Sequence, residues 1–161
     1  MSSAFLRSDG DIPYTLRTMF DSDEFIRSLG KQFKDPLHYV VSALRLTYDG
    51  SNIVNTAPAL NWLNMLCQPY FGRQTPDGYS LAESAWSSAG QMSTRFDLAR
   101  ILANGNANLF RAEGQSSAEK FQAPTLSNAS CIKNMMPYLS NETQQALAQA
   151  KNTTEWNLLF L

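Results

Sequence analysis

Two carboxylates, Asp77 and Glu83, share one short segment with Tyr70, Phe71, Tyr79 and Trp86. Paired carboxylates beside aromatic rings suit glycoside chemistry. There, one acid protonates the leaving group, the other acts as base or nucleophile, and their separation decides the stereochemical outcome. Each also has a plainer reading, which the residue types favour. Asp77 lies in Pro76-Asp77-Gly78, a turn sequence, and Glu83 suits solvent. Arg73 and Arg95 flank the same region. Arg95 can clamp a ligand carboxylate, or hold loop carbonyls and Asp77 as a structural strut; the strut is favoured. The four aromatic residues can stack on a sugar or receive a protein partner, as rings do at interface hot spots. They can equally fold inward and pin the segment, and this reading carries more weight.

Nothing else in the chain converges on a reaction centre. His38 is the one histidine and falls beside Leu37 near a helix start, a place for a surface or hydrogen-bonded structural residue. Asp9, Asp11, Asp21, Asp23 and Glu24 are acidic neighbours, but they fail the spacing of a calcium loop and lack its closing glutamate. Helix capping explains them better. The two cysteines, Cys67 and Cys131, form no CxxC motif, so a zinc site is not expected. A bridge between them would close a long loop and stabilise by about 4 kcal/mol, but spacing alone does not place their Cα atoms. Two buried free thiols are the expectation. No metal and no cofactor is expected, and catalytic residues stay unassigned. The candidate binding set is Tyr70, Phe71, Asp77, Tyr79, Trp86 and Arg95.

These residues fall within Leu66–Arg95, a stretch broken by Pro69, Gly72, Pro76, Gly78 and Gly90. A loop this long inside a compact domain is functional or disordered, and its aromatic content argues against disorder. The segment therefore reads as an ordered loop laid over a helical body. The 161 residues, 43% of them hydrophobic, suffice for one domain with a real core, taken as residues 1–161. The formal charge of −1, with scattered Lys and Arg, speaks against a nucleic-acid surface or a polybasic membrane patch. No apolar run approaches the roughly 20 residues of a spanning helix. Met1–Ser8 lacks the basic-then-apolar pattern of a signal peptide.

The rest of the chain reads as helices, giving an all-α, irregular multi-helix bundle. Asp11 with Pro13 starts a helix running to about Phe20. Ser22 caps a short helix that ends at Gly30. Ser2–Ser8 is too short to be a stable helix alone. Asp35-Pro36 opens a helix to about Thr47, with Leu37, Val40, Val41 and Leu44 on one stripe. Thr56 caps a helix around Ala59–Cys67 that is expected to be central and heavily buried. Met92–Ala103 is a helix with Met92, Phe96, Ala99 and Ala103 on one face, widened by Leu98 and Leu102. Gly114–Leu126 is loop with at most one helical turn, and a short helix lies near Cys131–Met136. Ser140 caps a helix through Leu147, and Asn152 or Thr153 starts the last one. That helix carries Trp156, Leu159 and Phe160 on one stripe, and the sequence stops inside it. The expectation is a truncated chain, with the missing N-terminal region of the same protein as a partner.

The order of several segments resembles a large bacterial family, the domain of unknown function 1800. They begin with Asp9-Gly10-Asp11 ahead of LRTMFDSDEF, then Phe33-Lys34-Asp35-Pro36 before a helix ending SALR. Next come Cys67-Gln68-Pro69-Tyr70-Phe71, Pro76-Asp77-Gly78-Tyr79, Trp86, and Arg95-Phe96 in a helix ending LANG. The tail LSNETQQALAQAKNTTEWNLLFL is similar to the family's last segment. Many members carry Gly-Gln where this chain has Cys67-Gln68, and Gly-Trp where it has Gly78-Tyr79. The resemblance implies a bacterial, periplasmic or secreted protein without an established activity, of which this chain is the C-terminal portion. It brings no catalytic residues. Three functions remain, in order of preference. The first is a non-catalytic helical module binding a protein or polysaccharide partner. The second is structural completion of a larger helical domain. The third is a glycan-acting enzyme using Asp77 and Glu83.

Overall fold

The computed structural model describes residues 1–105, 107–112, 114–115 and 124–161, with the side chains at positions 107, 128, 130 and 131 left out of that description. The fold is all-α: nine α-helices and four 3₁₀ turns, with no strand among the described residues. The chain divides into two compact units, Met1–Phe33 and Lys34–Leu161.

The first unit holds α1 (Ser2–Arg7), α2 (Ile12–Phe20) and α3 (Asp23–Ser28). Asp11 caps α2 by accepting from the Tyr14 N–H, and Ser22 caps α3 by accepting from the Phe25 N–H. Each cap satisfies one of the orphan donors of a first turn. Phe20 meets Phe25 edge to face at 5.0 Å, which closes the corner between α2 and α3. Ser2–Arg7 is helical despite its length because α1 packs on α2 with Ala4 buried, and tertiary packing outweighs weak local propensity.

The second unit holds α4 (Pro36–Thr47), α5 (Ala57–Met65), α6 (Ala89–Ala103), α7 (Ser130–Met135), α8 (Asn141–Gln149) and α9 (Thr153–Phe160). Its core joins Val40, Ala43 and Leu44 of α4 with Trp62 and Leu63 of α5, Leu98 and Leu102 of α6, and Leu66 and Leu109. Each of the Val and Leu side chains contributes about 1.5–3 kcal/mol when fully buried. Asp35, Ser88, Ser140 and Asn152 cap α4, α6, α8 and α9 through their side chains. Thr56 makes no cap bond; Asn55 Oδ1 takes the Ala57 N–H instead.

Two helices differ in part from expectation. On α5 only Trp62 and Leu63 are buried, while Leu60 and Met65 are exposed, so the helix is half-submerged. On α6 the buried stripe is Arg95, Leu98, Ala99, Leu102 and Ala103. Leu98, Ala99, Leu102 and Ala103 lie on the expected face, but Arg95 joins them where Phe96 was expected, and Phe96 is exposed. Arg95 can occupy the stripe because Tyr39 of α4 and Lys34, which precedes the Asp35 cap, supply a ring and a carbonyl to receive its guanidinium. Residues 113 and 116–123 of the expected Gly114–Leu126 loop lie outside the described residues.

Asn157 of α9 is fully buried. Its Oδ1 accepts from the Leu126 N–H at 3.4 Å, and its Nδ2 donates to the carbonyls of Ala103 at 3.3 Å and Pro124 at 2.6 Å. One amide thus ties α9 to the end of α6 and to the chain entering the Leu126–Asn128 turn. Trp156 stacks on Phe160 at 5.4 Å, and Leu161 packs against the core.

Candidate functional site: an aromatic turn and its cleft

The site begins where α5 ends. Cys67 has φ +62°, and its N–H bonds the Asn64 carbonyl while the Gln68 N–H bonds the Leu63 carbonyl at 2.9 Å. This is the paired hydrogen bonding of a Schellman stop, whose left-handed position is usually glycine. Cys67 is an exposed free thiol, not the buried one expected, because the stop turns it outward. The side chain of Cys131 lies outside the described residues. The next residue, Gln68, points inward and is only 6% exposed. Its Oε1 accepts from the Leu37 N–H at 2.7 Å, which satisfies a first-turn donor of α4.

A tight turn follows, closed by the Gly72 N–H on the Pro69 carbonyl at 2.9 Å. Phe71 sits at its third position with φ +56°, a place a type II turn fills with glycine. Gly72 cannot carry a side chain there, since a Cβ would come within 2.5 Å of the Pro69 ring. The turn holds Tyr70 and Phe71 with ring centroids 4.2 Å apart, and leaves Phe71 88% exposed.

A second turn, Thr75–Gly78, carries Asp77. Its carboxylate pairs with Arg73 Nη2 at 3.0 Å and accepts a short hydrogen bond from the Thr75 hydroxyl. The Thr75 bond first, and then Arg73, hold the Asp77 carboxyl below its ordinary range. Tyr79 folds back so that its hydroxyl donates to the Pro69 carbonyl at 2.9 Å, with the Arg73 guanidinium 6.0 Å from its ring centroid. Behind it, Trp86 is 6% exposed and donates its indole N–H to the Ser80 carbonyl at 2.8 Å. Gln91 of α6 donates to the Leu66 carbonyl at 3.2 Å, tying the far end of the segment to its start.

The six expected binding residues therefore separate. Tyr70, Phe71 and Tyr79 line one cleft of about 280 Å³, together with Leu37, Gln68, Pro69 and Arg73. Asp77 is linked to it through Arg73. Trp86 anchors the loop, its ring 6.1 Å from that of Tyr79. Arg95 is 7% exposed and donates from Nη2 to the Lys34 carbonyl at 2.8 Å, so it is a structural strut to the residue before the Asp35 cap and not to the Leu66–Arg95 loop. It shows no bond to Asp77 among those described. A larger apolar groove of about 930 Å³ runs between α4 and α5 and shares Leu37 and Tyr70 with the cleft. Sequence reasoning missed both Gln68 and this groove. Val41, expected on the core stripe of α4, is instead exposed beside His38 and Arg45, because the helix buries Val40, Ala43, Leu44 and Thr47.

Chemically the arrangement offers rings, one buried amide and an ion pair. Asp77 is held ionised, which suits a salt-bridged carboxylate and runs against the raised value a glycosidase acid needs. Glu83 is exposed in the Glu83–Ala85 turn. No group of three or more His, Cys, Asp or Glu side chains that could hold a metal ion occurs among the described residues. No helix among those residues is long and apolar enough to cross a membrane.

No curated protein and no solved structure matches the chain. A family model described as "Protein of unknown function (DUF1800)" matches residues 1–159. With that match running along nearly its whole length, the chain belongs to the DUF1800 family.

Proposed function

We propose that this protein is a non-catalytic helical module that captures a protein segment on the Tyr70–Phe71 turn and the adjoining α4/α5 groove. One observation carries the reading. Phe71 is 88% exposed at a positive φ, on a turn fixed by Tyr79 and Trp86. A strained backbone that displays a large ring to solvent costs stability and returns nothing to the fold. Rings held in this way are the stuff of interface hot spots. The exposed Val41 and Leu60 in the groove extend the same apolar surface. The family resemblance, and no segment of this chain, supports an exported bacterial setting.

Selection of a phage-displayed random peptide library on the immobilised protein tests this. Enriched peptides should lose at least tenfold in affinity against Phe71→Ala and Leu60→Ser, while both variants keep the parental melting temperature. Absence of enrichment, or variants that bind the peptides as tightly as the parent does, rejects the surface.

A second reading, structural completion of a larger helical body, is favoured by a different observation. Helix α2 has no buried residue, and Ile12, Leu16 and Phe20 are exposed at helical spacing along one stripe. Protection of these side chains from solvent in a longer form of the protein, by hydroxyl-radical footprinting, would support it.

A further inference from the structure

We infer that the α4/α5 groove is the interface of a two-fold dimer, in which the α4 ridge of each copy lies in the groove of the other. The inference rests on the reading of this groove as a protein-binding surface and names the partner as a second copy of the chain. Every residue it uses belongs to the second compact unit.

The argument starts from two charges on the groove wall. Arg45 stands in the last turn of α4, and Asp49 in the turn just past its end. Both are exposed, and neither forms an ion pair among the described residues. Asp49 lies at the negative end of the α4 dipole, where a carboxylate is disfavoured and an incoming cation is welcome. A partner with a single charge, of either sign, would be attracted by one of these residues and repelled by the other. A strip that carries both signs in sequence is instead complementary to itself when turned end over end. Under a two-fold axis, Arg45 of each copy meets Asp49 of the other.

Surface charge pairs give register and partner choice more than affinity. The affinity has to come from apolar area, and the groove holds it. Val41 of α4 and Leu60 of α5 are exposed on the two helices that wall the groove, and the buried Leu44 and Leu63 also line it. Val41 and Arg45 follow one another at helical spacing and form a ridge on α4. Two antiparallel α4 helices can interlock by setting such ridges into grooves, and each ridge then covers the Leu60 side chain of the other copy. The symmetry covers both apolar patches at once, and because it closes, association stops at two chains. A hydrocarbon ligand would satisfy the same walls but would leave Arg45 and Asp49 without a role.

Analytical ultracentrifugation of the whole chain, from about 1 µM to about 1 mM, reads the association. The mass should rise from monomer to dimer within that range, and the dimer should weaken as salt screens the charges. Arg45→Asp and Asp49→Arg each set like charges opposite one another, so either variant alone should dimerise more weakly by about tenfold or more. An equimolar mixture of the two brings opposite charges together at both contacts and should recover parental association. The double reversal in one chain should do the same. Leu60→Ser should weaken the dimer to a similar degree, and circular dichroism of all these surface variants should match the parent. A parent that stays monomeric throughout overturns the inference, whichever variants fold. So do single reversals that dimerise like the parent, a mixture that fails to recover, or a Leu60→Ser protein that dimerises unchanged. A monomeric chain whose selected peptides still require Phe71 and Leu60 leaves the binding-module reading in place. A dimer formed as described, with no enriched peptide, rejects capture of a foreign segment and keeps the groove as a self-interface.

Discussion

Arg95 lies over the ring of Tyr39, its guanidinium carbon 4.7 Å from the centroid, and the Tyr39 hydroxyl donates to the Arg95 carbonyl at 3.1 Å. The pair joins α4 to α6, and the Arg95 bond to the Lys34 carbonyl extends it to the residue before the Asp35 cap. Burial pushes the Tyr39 phenol above its ordinary value of 10.0, against a smaller downward pull from Arg95.

The sign of that shift gives the first prediction. A group whose folded-state value is raised keeps its full contribution to stability below the unfolded value, and loses it as pH rises through the folded one. Stability should hold to about pH 10 and fall above it. Tyr39→Phe removes the titrating proton, so the stability difference between parent and variant should shrink from pH 8 to pH 11 in urea unfolding. A difference that stays constant across that range would show that Tyr39 titrates as it does in the unfolded chain.

Trp86 and Tyr70 provide a contrast within one loop. Trp86 is buried and bonded to the Ser80 carbonyl, while Tyr70 is exposed. Trp86→Ala should cost about 3–5 kcal/mol and speed amide exchange across residues 69–90. Tyr70→Ala should stay within about 0.5 kcal/mol of the parent. Similar losses from both would mean that the exposed rings also hold the loop in place.

What the sequence made legible follows the range of the forces involved. Caps at Asp11, Ser22, Asp35, Ser140 and Asn152 act within a single turn, so residue type and spacing reveal them. The anchoring of the loop by Trp86 was legible from ring size alone. On α6 the buried Leu98, Ala99, Leu102 and Ala103 were legible too, but Arg95 in place of Phe96 was not. The place of Arg95 in the buried stripe depends on Tyr39 and Lys34, both more than fifty positions away in sequence. Gln68 was passed over for the same reason: its partner Leu37 is distant, and a polar residue beside a proline reads as solvated turn. Local periodicity cannot see a buried polar group whose partners come from another helix.

Asn157 is the strongest case of that kind. Its amide accepts from Leu126 and donates to Ala103 and Pro124. Asn157→Ala should cost about 3 kcal/mol or more, since each buried group left without a partner costs about 1–3 kcal/mol. Asn157→Asp should be at least as damaging near neutral pH, because a carboxylate would face two carbonyl oxygens in a dry site. Chemical denaturation of the two variants checks both. A mild effect from Asn157→Ala would indicate that water replaces the amide.

Cys67 and Phe71 both hold left-handed backbone, and they should separate stability from binding. The conformation costs a side-chain-bearing residue about 1–2 kcal/mol, partly offset by the entropy glycine loses on folding. Cys67→Gly should therefore stabilise by about 0.5–1 kcal/mol. Glycine is also the residue implied at that position by the family resemblance, and Cys67 lines neither the cleft nor the groove. Peptides selected on the parent should bind this variant unchanged. Phe71→Gly relieves the same strain and should raise the melting temperature as well, yet it deletes the most exposed ring of the turn and should abolish peptide binding. Stability gained together with binding lost is the pattern expected of a strained residue kept for contact with a partner. If Phe71→Gly destabilises the protein, the ring supports the fold, and its exposure no longer argues for a binding surface.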